Sequence, residues 1–179
     1  MLSASGGRAA PRYYVTNNSG ARTWTAAQGS FQCEVNLAAV SGATQQYIAF
    51  CFHDGSNFSS VYWDGSTGQW VFAVASTGSG TTHAAVKAAS PAPATWYQIG
   101  ARWTGSNTEN GATAYTISIF VDRVKGTDAV PGYPMTETAS SIVDFGTAGG
   151  AGSFQLNGQI RKIHSYQHVL TDVEMQRTI

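Results

Sequence analysis

Two carboxylates at alternating positions of a strand would be the clearest sign of a hydrolase in this sequence. A retaining glycosidase holds two carboxyl groups about 5–5.5 Å apart, and alternate residues on one strand can provide that spacing. Glu34 is the only glutamate on a segment that we predict to be a strand, and its neighbours two places away are Gln32 and Asn36. The patterns G-x-S-x-G, H-E-x-x-H and C-x-x-C are also missing from the sequence. We therefore expect a protein without catalytic residues.

One segment, HDGSNFSSVYWDG, combines a flat aromatic ring with oxygen-bearing side chains and glycine turns. Binding sites for small polar ligands pair aromatic surface with a few placed polar groups, and loops often carry them. Trp63 would stack on a sugar ring, and Tyr133, from the loop 125–141, would close over it. The oxygens for the sugar hydroxyls would come from Asp54, Asn57 and Asp64. This hypothesis requires an exposed Trp63. Trp63→Ala should therefore weaken glycan binding and hardly change thermal stability.

The same segment could hold a cation. Calcium takes oxygen ligands from such loops, and the candidate ligands are Asp54 and Asp64, with Asp122 at a later strand end as a weaker one. Asp-Gly and Ser-Asn are also ordinary turn sequences. The sequence therefore predicts no obligatory cofactor and leaves calcium open.

The candidate site residues lie on or between short segments in which apolar and polar residues alternate with a period of two. Such alternation is typical of strands with one buried face. Trp70, Phe72 and Trp103 fall on apolar faces, whereas Trp96 opposes such a face and is a second candidate for an exposed ring. The predicted strands are 31–40, 46–53, 58–63, 69–75, 81–88, 95–103, 114–123, 141–145 and 153–166. Many such strands indicate an all-β protein of two antiparallel sheets packed face to face, a jelly-roll sandwich.

The two cysteines are predicted to be unbonded. The segments FQCEVNLAAV and QYIAFCF flank the turn SGAT and suggest a hairpin. Pairing the apolar face of Cys33 with that of Phe50 would leave Cys51 on the opposite side, because side chains alternate along a strand.

The two ends of the chain differ from its middle. Residues 1–22 carry no core pattern, so we predict an N-terminal arm, followed by one jelly-roll domain over 23–179. Near the other end, Thr171 and Glu174 have the spacing of a capping box and predict a short helical turn.

The charge content excludes several partners. Only 11% of the 179 residues are charged and the net charge is zero, against about 25% charged residues in typical soluble domains. A surface with so little net charge does not favour binding to nucleic acid or to anionic lipid. No apolar run in the sequence is long enough to span a membrane. The start of the chain shows no apolar signal segment. We expect an extracellular protein, or one on a virion surface that reaches its place without a visible signal peptide.

The later half of the sequence resembles the laminin-G-like members of the concanavalin A-like superfamily. The segments WYQIGARW and ISIFVDRVKG match one family pattern in order, except that Arg123 replaces the usual turn glycine. The closing pattern of the family is matched by Phe154, Gly158, Ile160, Ile163, Tyr166, Leu170, Thr171 and Glu174. The resemblance implies an antiparallel jelly roll with a sugar- or protein-binding surface, sometimes with calcium at its rim, although some relatives are glycoside hydrolases.

Together these features predict a non-catalytic recognition module that binds glycans or decorates a surface, such as that of a phage or virus particle. A structural virion protein that contacts neighbouring subunits through the jelly roll and its N-terminal arm is the main alternative, and it would leave an oligomer possible. A degenerate glycoside hydrolase is the other. A glycan array and the oligomeric state in solution would separate the first two.

Overall fold

Eleven strands and one helical turn make up the part of the chain that the computed structural model describes. That part comprises residues 13–17, 28–38, 45–52, 58–76, 81–88, 90–104, 115–131, 141–146, 156–177 and 179. The strands are β1 (Tyr13–Asn17), β2 (Gln28–Leu37), β3 (Gln45–Phe52), β4 (Phe58–Asp64), β5 (Gln69–Ser76), β6 (Thr81–Ala88), β7 (Trp96–Thr104), β8 (Thr116–Val121), β9 (Val124–Lys125), β10 (Ser141–Phe145) and β11 (Gly158–Tyr166). The helical turn, α1, is Asp172–Met175, and no helix among these residues is long and apolar enough to cross a membrane.

The strands form two antiparallel sheets, which confirms the predicted all-β sandwich. The six-stranded sheet has the order β1-β10-β3-β4-β5-β6, and the five-stranded sheet has the order β11-β2-β7-β8-β9. Apolar residues at alternate positions fill the space between them. Rings from the two sheets meet there: Phe72 lies 5.7 Å from Trp103, and Trp70 lies 5.8 Å from Tyr97. Trp70, Phe72 and Trp103 are fully buried, as predicted.

The predicted hairpin between the two cysteine-bearing strands is wrong. β2 pairs with β11 and β7, whereas β3 pairs with β10 and β4, so the two strands lie in different sheets. The two strands meet across the sandwich through their core-facing residues, and on β3 these include Ala49 and Cys51. The prediction that Cys51 lies opposite the core face and Phe50 on it is therefore wrong: Phe50 packs with Phe58 on the other face. A register shift between Tyr47 and Ala49 changes the alternation along β3.

Both thiols are free, as predicted, and both lie in the shared core. Burial, with Glu34 nearby, raises the pKa of the Cys33 thiol far above its usual range.

Part of the predicted N-terminal arm belongs to the sandwich. β1, within residues 1–22, pairs with β10 along its whole length and forms an edge of the six-stranded sheet. Its short, non-periodic sequence gave no strand signal. The other residues of the arm lie outside the described ranges.

The outer face of the five-stranded sheet is half covered by the C-terminal segment. The capping box of Thr171 and Glu174 is present, as predicted, and starts α1. Met175 packs with Phe120 and Leu170 over Gly100, where a side-chain Cβ would meet the Met175 methyl group. Side chains of the sheet hydrogen-bond the backbone of this segment, among them those of Ser30, Gln32 and Arg102. The beginning of β7 is less covered: Gln98 donates to the Arg177 carbonyl, and Trp96 remains partly exposed.

Candidate functional site

An open cavity of about 350 Å³ lies at the less covered part of this outer face. Glu34 on β2 pairs with Gln98 on β7. Trp96, which pairs with Asn36, lies two positions earlier on the same face of the sheet, and the buried Val35 is on the other face. The two-residue turn between β8 and β9 closes one side of the cavity. Its lining residues are Glu34, Trp96, Tyr97, Gln98, Asp122 and Arg123. We call this site the Trp96 cavity.

The indole of Trp96 is held in place from outside the cavity. The guanidinium group of Arg161 lies 3.8 Å from the centre of the ring, a distance at which a cation attracts an aromatic face. Arg161 does not line the cavity, and its Nε donates to Glu34 at 2.6 Å. Lys162 donates to the other Glu34 oxygen at 3.0 Å. The ring is therefore fixed on one side and remains partly exposed.

The two carboxylates that line the cavity are engaged in structural contacts. Hydrogen bonds from Lys162 and Arg161 hold the pKa of Glu34 below its ordinary value of 4.5. A glycosidase acid needs the opposite shift, since it must remain protonated near neutral pH. Asp122 accepts the backbone N–H of Gln98 at 2.9 Å. Glu34 therefore lacks the raised pKa of a glycosidase acid.

Three groups at the cavity keep unused hydrogen-bonding capacity. Gln98 donates through Nε2 to the Arg177 carbonyl at 2.6 Å, which leaves its Oε1 as an acceptor. Asp122 uses one carboxylate oxygen for Gln98 and keeps the other. Arg123 is exposed, and its side chain makes no hydrogen bond or ion pair with any residue in the described ranges. Acceptors and donors thus stand beside a partly exposed indole.

The lowered pKa of Glu34 predicts a defined pH dependence of stability. A carboxyl group whose pKa is depressed by folding stabilises the protein above its unfolded pKa, and this contribution is lost as the pH falls through the folded value. Glu34→Gln should therefore be less stable than the wild type at pH 7, with a difference that shrinks below pH 4.5. Urea unfolding of both proteins from pH 7 to pH 3 measures it. A difference that does not change with pH would contradict the role of this ion pair.

The predicted binding role of Trp63 is contradicted by its position. Trp63 is 3% exposed and packs at 5.3 Å from Trp70 in the core. The register of β4 and β5 pairs these two residues and turns Tyr62 outward instead. Trp63 therefore offers no face on which a ligand could stack.

Of the other residues predicted for this site, the structure describes only Asp64. Asp64 accepts the backbone N–H of Ser66 at 2.9 Å and its hydroxyl at 2.5 Å, so it stabilises the turn after β4. Burial opposes ionisation of Asp64, but hydrogen bonds from Ser66 and Thr67 outweigh it and lower the pKa. Asp54, Asn57 and Tyr133 lie outside the described residues. Within the described ranges, no group of three His, Cys, Asp or Glu side chains could hold a metal ion.

The sequence pointed to two residues of the Trp96 cavity without showing that they meet. Trp96 opposed an apolar face, and Asp122 ended a strand. Glu34 was considered only as a possible acid, and Arg123 only as a departure from a turn glycine. Gln98 gave no signal of its own. The pairing of β2 with β7, and of β7 with β8, brings all five together.

A second aromatic surface lies on the outer face of the six-stranded sheet. Tyr47 stacks on Tyr62 at 5.0 Å, and Phe50 stacks on Phe58 at 5.3 Å. Burial raises the pKa of Tyr62 to about 12, with smaller effects of Tyr47 and Asp64. Because these rings pack on one another and Phe50 is only 7% exposed, this surface is a weaker candidate than the Trp96 cavity.

Solved structures of other proteins share the fold of this chain. The CBM40 domain of the Ruminococcus gnavus IT-sialidase, bound to alpha2,3 sialyllactose, superposes with a TM-score of 0.65 at 14% identity, over 84% of this chain and 81% of that one. Domain 4 of the extracellular arabinanase AbnA from Geobacillus stearothermophilus, in complex with arabinotriose, gives 0.64 at 13%, over 83% and 65%. Domains LG4-5 of the mouse laminin alpha1 chain give 0.64 at 12%, over 90% and 40%.

Comparison of the sequence with known families and curated proteins finds no relative. No model of a known protein family matches the sequence, and no curated protein matches it significantly. The likeness to these structures, at such low identity, concerns the fold. The chain therefore has the concanavalin A-like, laminin-G-like jelly-roll fold that its C-terminal motifs implied.

Proposed function

We propose that this chain is a non-catalytic recognition module that binds glycans in the Trp96 cavity. The observation that carries the proposal is the meeting of a fixed, partly exposed indole with free acceptors and donors in one cavity. Sugars present both C–H faces and hydroxyl groups, so they need an apolar platform flanked by groups that accept and donate. Two structures with the same fold were solved with oligosaccharides bound. We place the module outside the cell, on a secreted protein or on the surface of a particle.

Each group has a distinct role in this proposal. Trp96 stacks on the face of a sugar ring, and Arg161 acts as a positioning residue that holds the indole. Gln98 Oε1 and the free oxygen of Asp122 accept sugar hydroxyls, while Arg123 donates. Glu34 has no contact role, because Arg161 and Lys162 occupy its oxygens.

Trp96→Ala should reduce the affinity for a bound glycan by about 5- to 150-fold, which corresponds to the roughly 1–3 kcal/mol typical of one stacking aromatic. A glycan array with the wild type identifies the oligosaccharide, and calorimetry with that oligosaccharide measures the affinity. The same oligosaccharide should be recovered intact after long incubation, because the module is not catalytic.

Tyr62→Ala is the matched control, since it removes a partly exposed ring from the outer face of the other sheet. It should bind like the wild type. Unchanged binding by a folded Trp96→Ala, or loss of binding in Tyr62→Ala alone, would refute the proposed site and point to the aromatic surface of the six-stranded sheet.

A further inference from the structure

The turn between β8 and β9 keeps an arginine where the backbone favours glycine. Val121 pairs with Val124, so Asp122 and Arg123 form a two-residue hairpin turn, with φ of 46° and 68°. Both values are positive, which is typical of the type I′ turn, whose second position is most often glycine. A residue with a side chain is disfavoured in this left-handed conformation, because its Cβ crowds the following carbonyl oxygen. Strain of this kind is common where a side chain has a function.

The side chain of Arg123 has no partner among the described residues, in contrast to the other cations of the five-stranded sheet. Arg102 and Lys125 each contact Asp172, and Lys125 also contacts Asp128. Arg161 and Lys162 share Glu34. Arg123 is exposed, lines the Trp96 cavity and makes no ion pair or hydrogen bond through its side chain within the described ranges. Its charge is thus available to a ligand.

The charges around the cavity also favour an anion. Glu34 contacts two cations, so the three groups together carry one positive charge. The charges of Asp122 and Arg123 cancel formally, so the five groups together keep one net positive charge. A guanidinium group binds carboxylate and sulfate oxygens through paired donors, which makes it more selective than a point charge.

We infer that the Trp96 cavity selects glycans that carry an anionic group, a carboxylate or a sulfate, and that Arg123 binds this group. The inference rests on the proposed function and adds the class of ligand. Trp96 supplies the platform for any sugar ring, and Arg123 distinguishes acidic sugars from neutral ones. The arginine thus performs a task that the usual turn glycine cannot.

Arg123→Gly separates this role from folding, because it removes the cation and at the same time places the preferred residue in the turn. We expect its melting temperature to equal or exceed that of the wild type. The probes are matched oligosaccharides of galactose, galacturonic acid and sulfated galactose, which test the neutral, carboxylate and sulfate forms separately. The affinity of Arg123→Gly for the preferred acidic form should fall at least about tenfold. Its affinity for the neutral form should fall by a smaller factor, because that form loses a hydrogen bond from Arg123 but no ion pair.

Two further measurements separate charge from geometry. Arg123→Lys should recover only part of the acidic preference, since lysine lacks the paired donors. Added salt should weaken acidic binding by the wild type more than by Arg123→Gly. An unchanged ratio of acidic to neutral affinity in Arg123→Gly, or a wild type that prefers the neutral form, would overturn the inference and leave the proposed function standing. If Trp96→Ala binds all three forms like the wild type, the proposed function itself fails.

Discussion

Replacement of Trp63 by alanine is expected to lower the free energy of unfolding by about 3–5 kcal/mol, the usual cost of removing a large aromatic side chain from a core. Trp63 is 3% exposed and packs against Trp70 between the sheets. Its removal would leave a cavity that neighbouring strands cannot fill, because both sheets are held in register by their hydrogen bonds. Denaturant unfolding, followed by fluorescence and circular dichroism, measures the change.

Two variants on the same strand serve as controls. Tyr62→Ala removes the adjacent ring, which faces outward and is only partly buried, so we expect a smaller loss of about 1–2 kcal/mol. Trp63→Phe should also cost less than Trp63→Ala. The indole N–H of Trp63 is buried without a partner among the described residues, so phenylalanine removes a donor that stabilises nothing. An unchanged unfolding midpoint for Trp63→Ala would mean that the ring is exposed after all.

The position of Trp63 shows what alternation predicts and what it omits. The sequence correctly divided β4 into two faces, with Tyr62 on one and Trp63 on the other. It did not identify which face is buried, because both carry aromatic rings. The deciding information lay in the next strand: the turn 65–68 pairs Trp63 with Trp70, which the sequence already assigned to the core. Partners in a tight hairpin lie on the same face, so the register of that turn would have placed Trp63 inside.

Strand neighbours were harder to predict than strands. Most of the predicted segments coincide with observed strands within a few residues, since local alternation and turn residues determine them. β2 and β3 follow one another in the chain but lie in opposite sheets. The Trp96 cavity depends on such non-local pairing, because Glu34 and Gln98 become neighbours only through β2 and β7. Their meeting leaves no trace in a single sequence.

Gly126→Ala is expected to destabilise the sandwich by about 2–4 kcal/mol, through overpacking and the loss of backbone hydrogen bonds. Gly126 belongs to the segment that follows β9, and the backbone of this segment forms hydrogen bonds with both sheets. Its N–H donates to Ile119 of the five-stranded sheet at 2.8 Å, and the next residue, Thr127, exchanges two hydrogen bonds with Val86 of the six-stranded sheet. A Cβ at this position would collide with the Val86 carbonyl oxygen and lie 2.9 Å from a methyl carbon of Ile119. The carbonyl belongs to the main chain and has no rotamer by which to move away.

Gly100→Ala is the matched control for this substitution. The new Cβ would meet the terminal methyl carbon of Met175 at 2.6 Å, and a methionine side chain can change rotamer at a cost of about 1 kcal/mol. Hydrogen exchange should distinguish the two variants as well. The amide of Thr127 should lose protection in Gly126→Ala and keep it in Gly100→Ala, because only the first substitution pushes β6 away from the segment that joins the sheets. Similar losses of stability and protection in both variants would show that the contact at Val86 can relax, and that the two sheets are held together by their apolar core alone on this side.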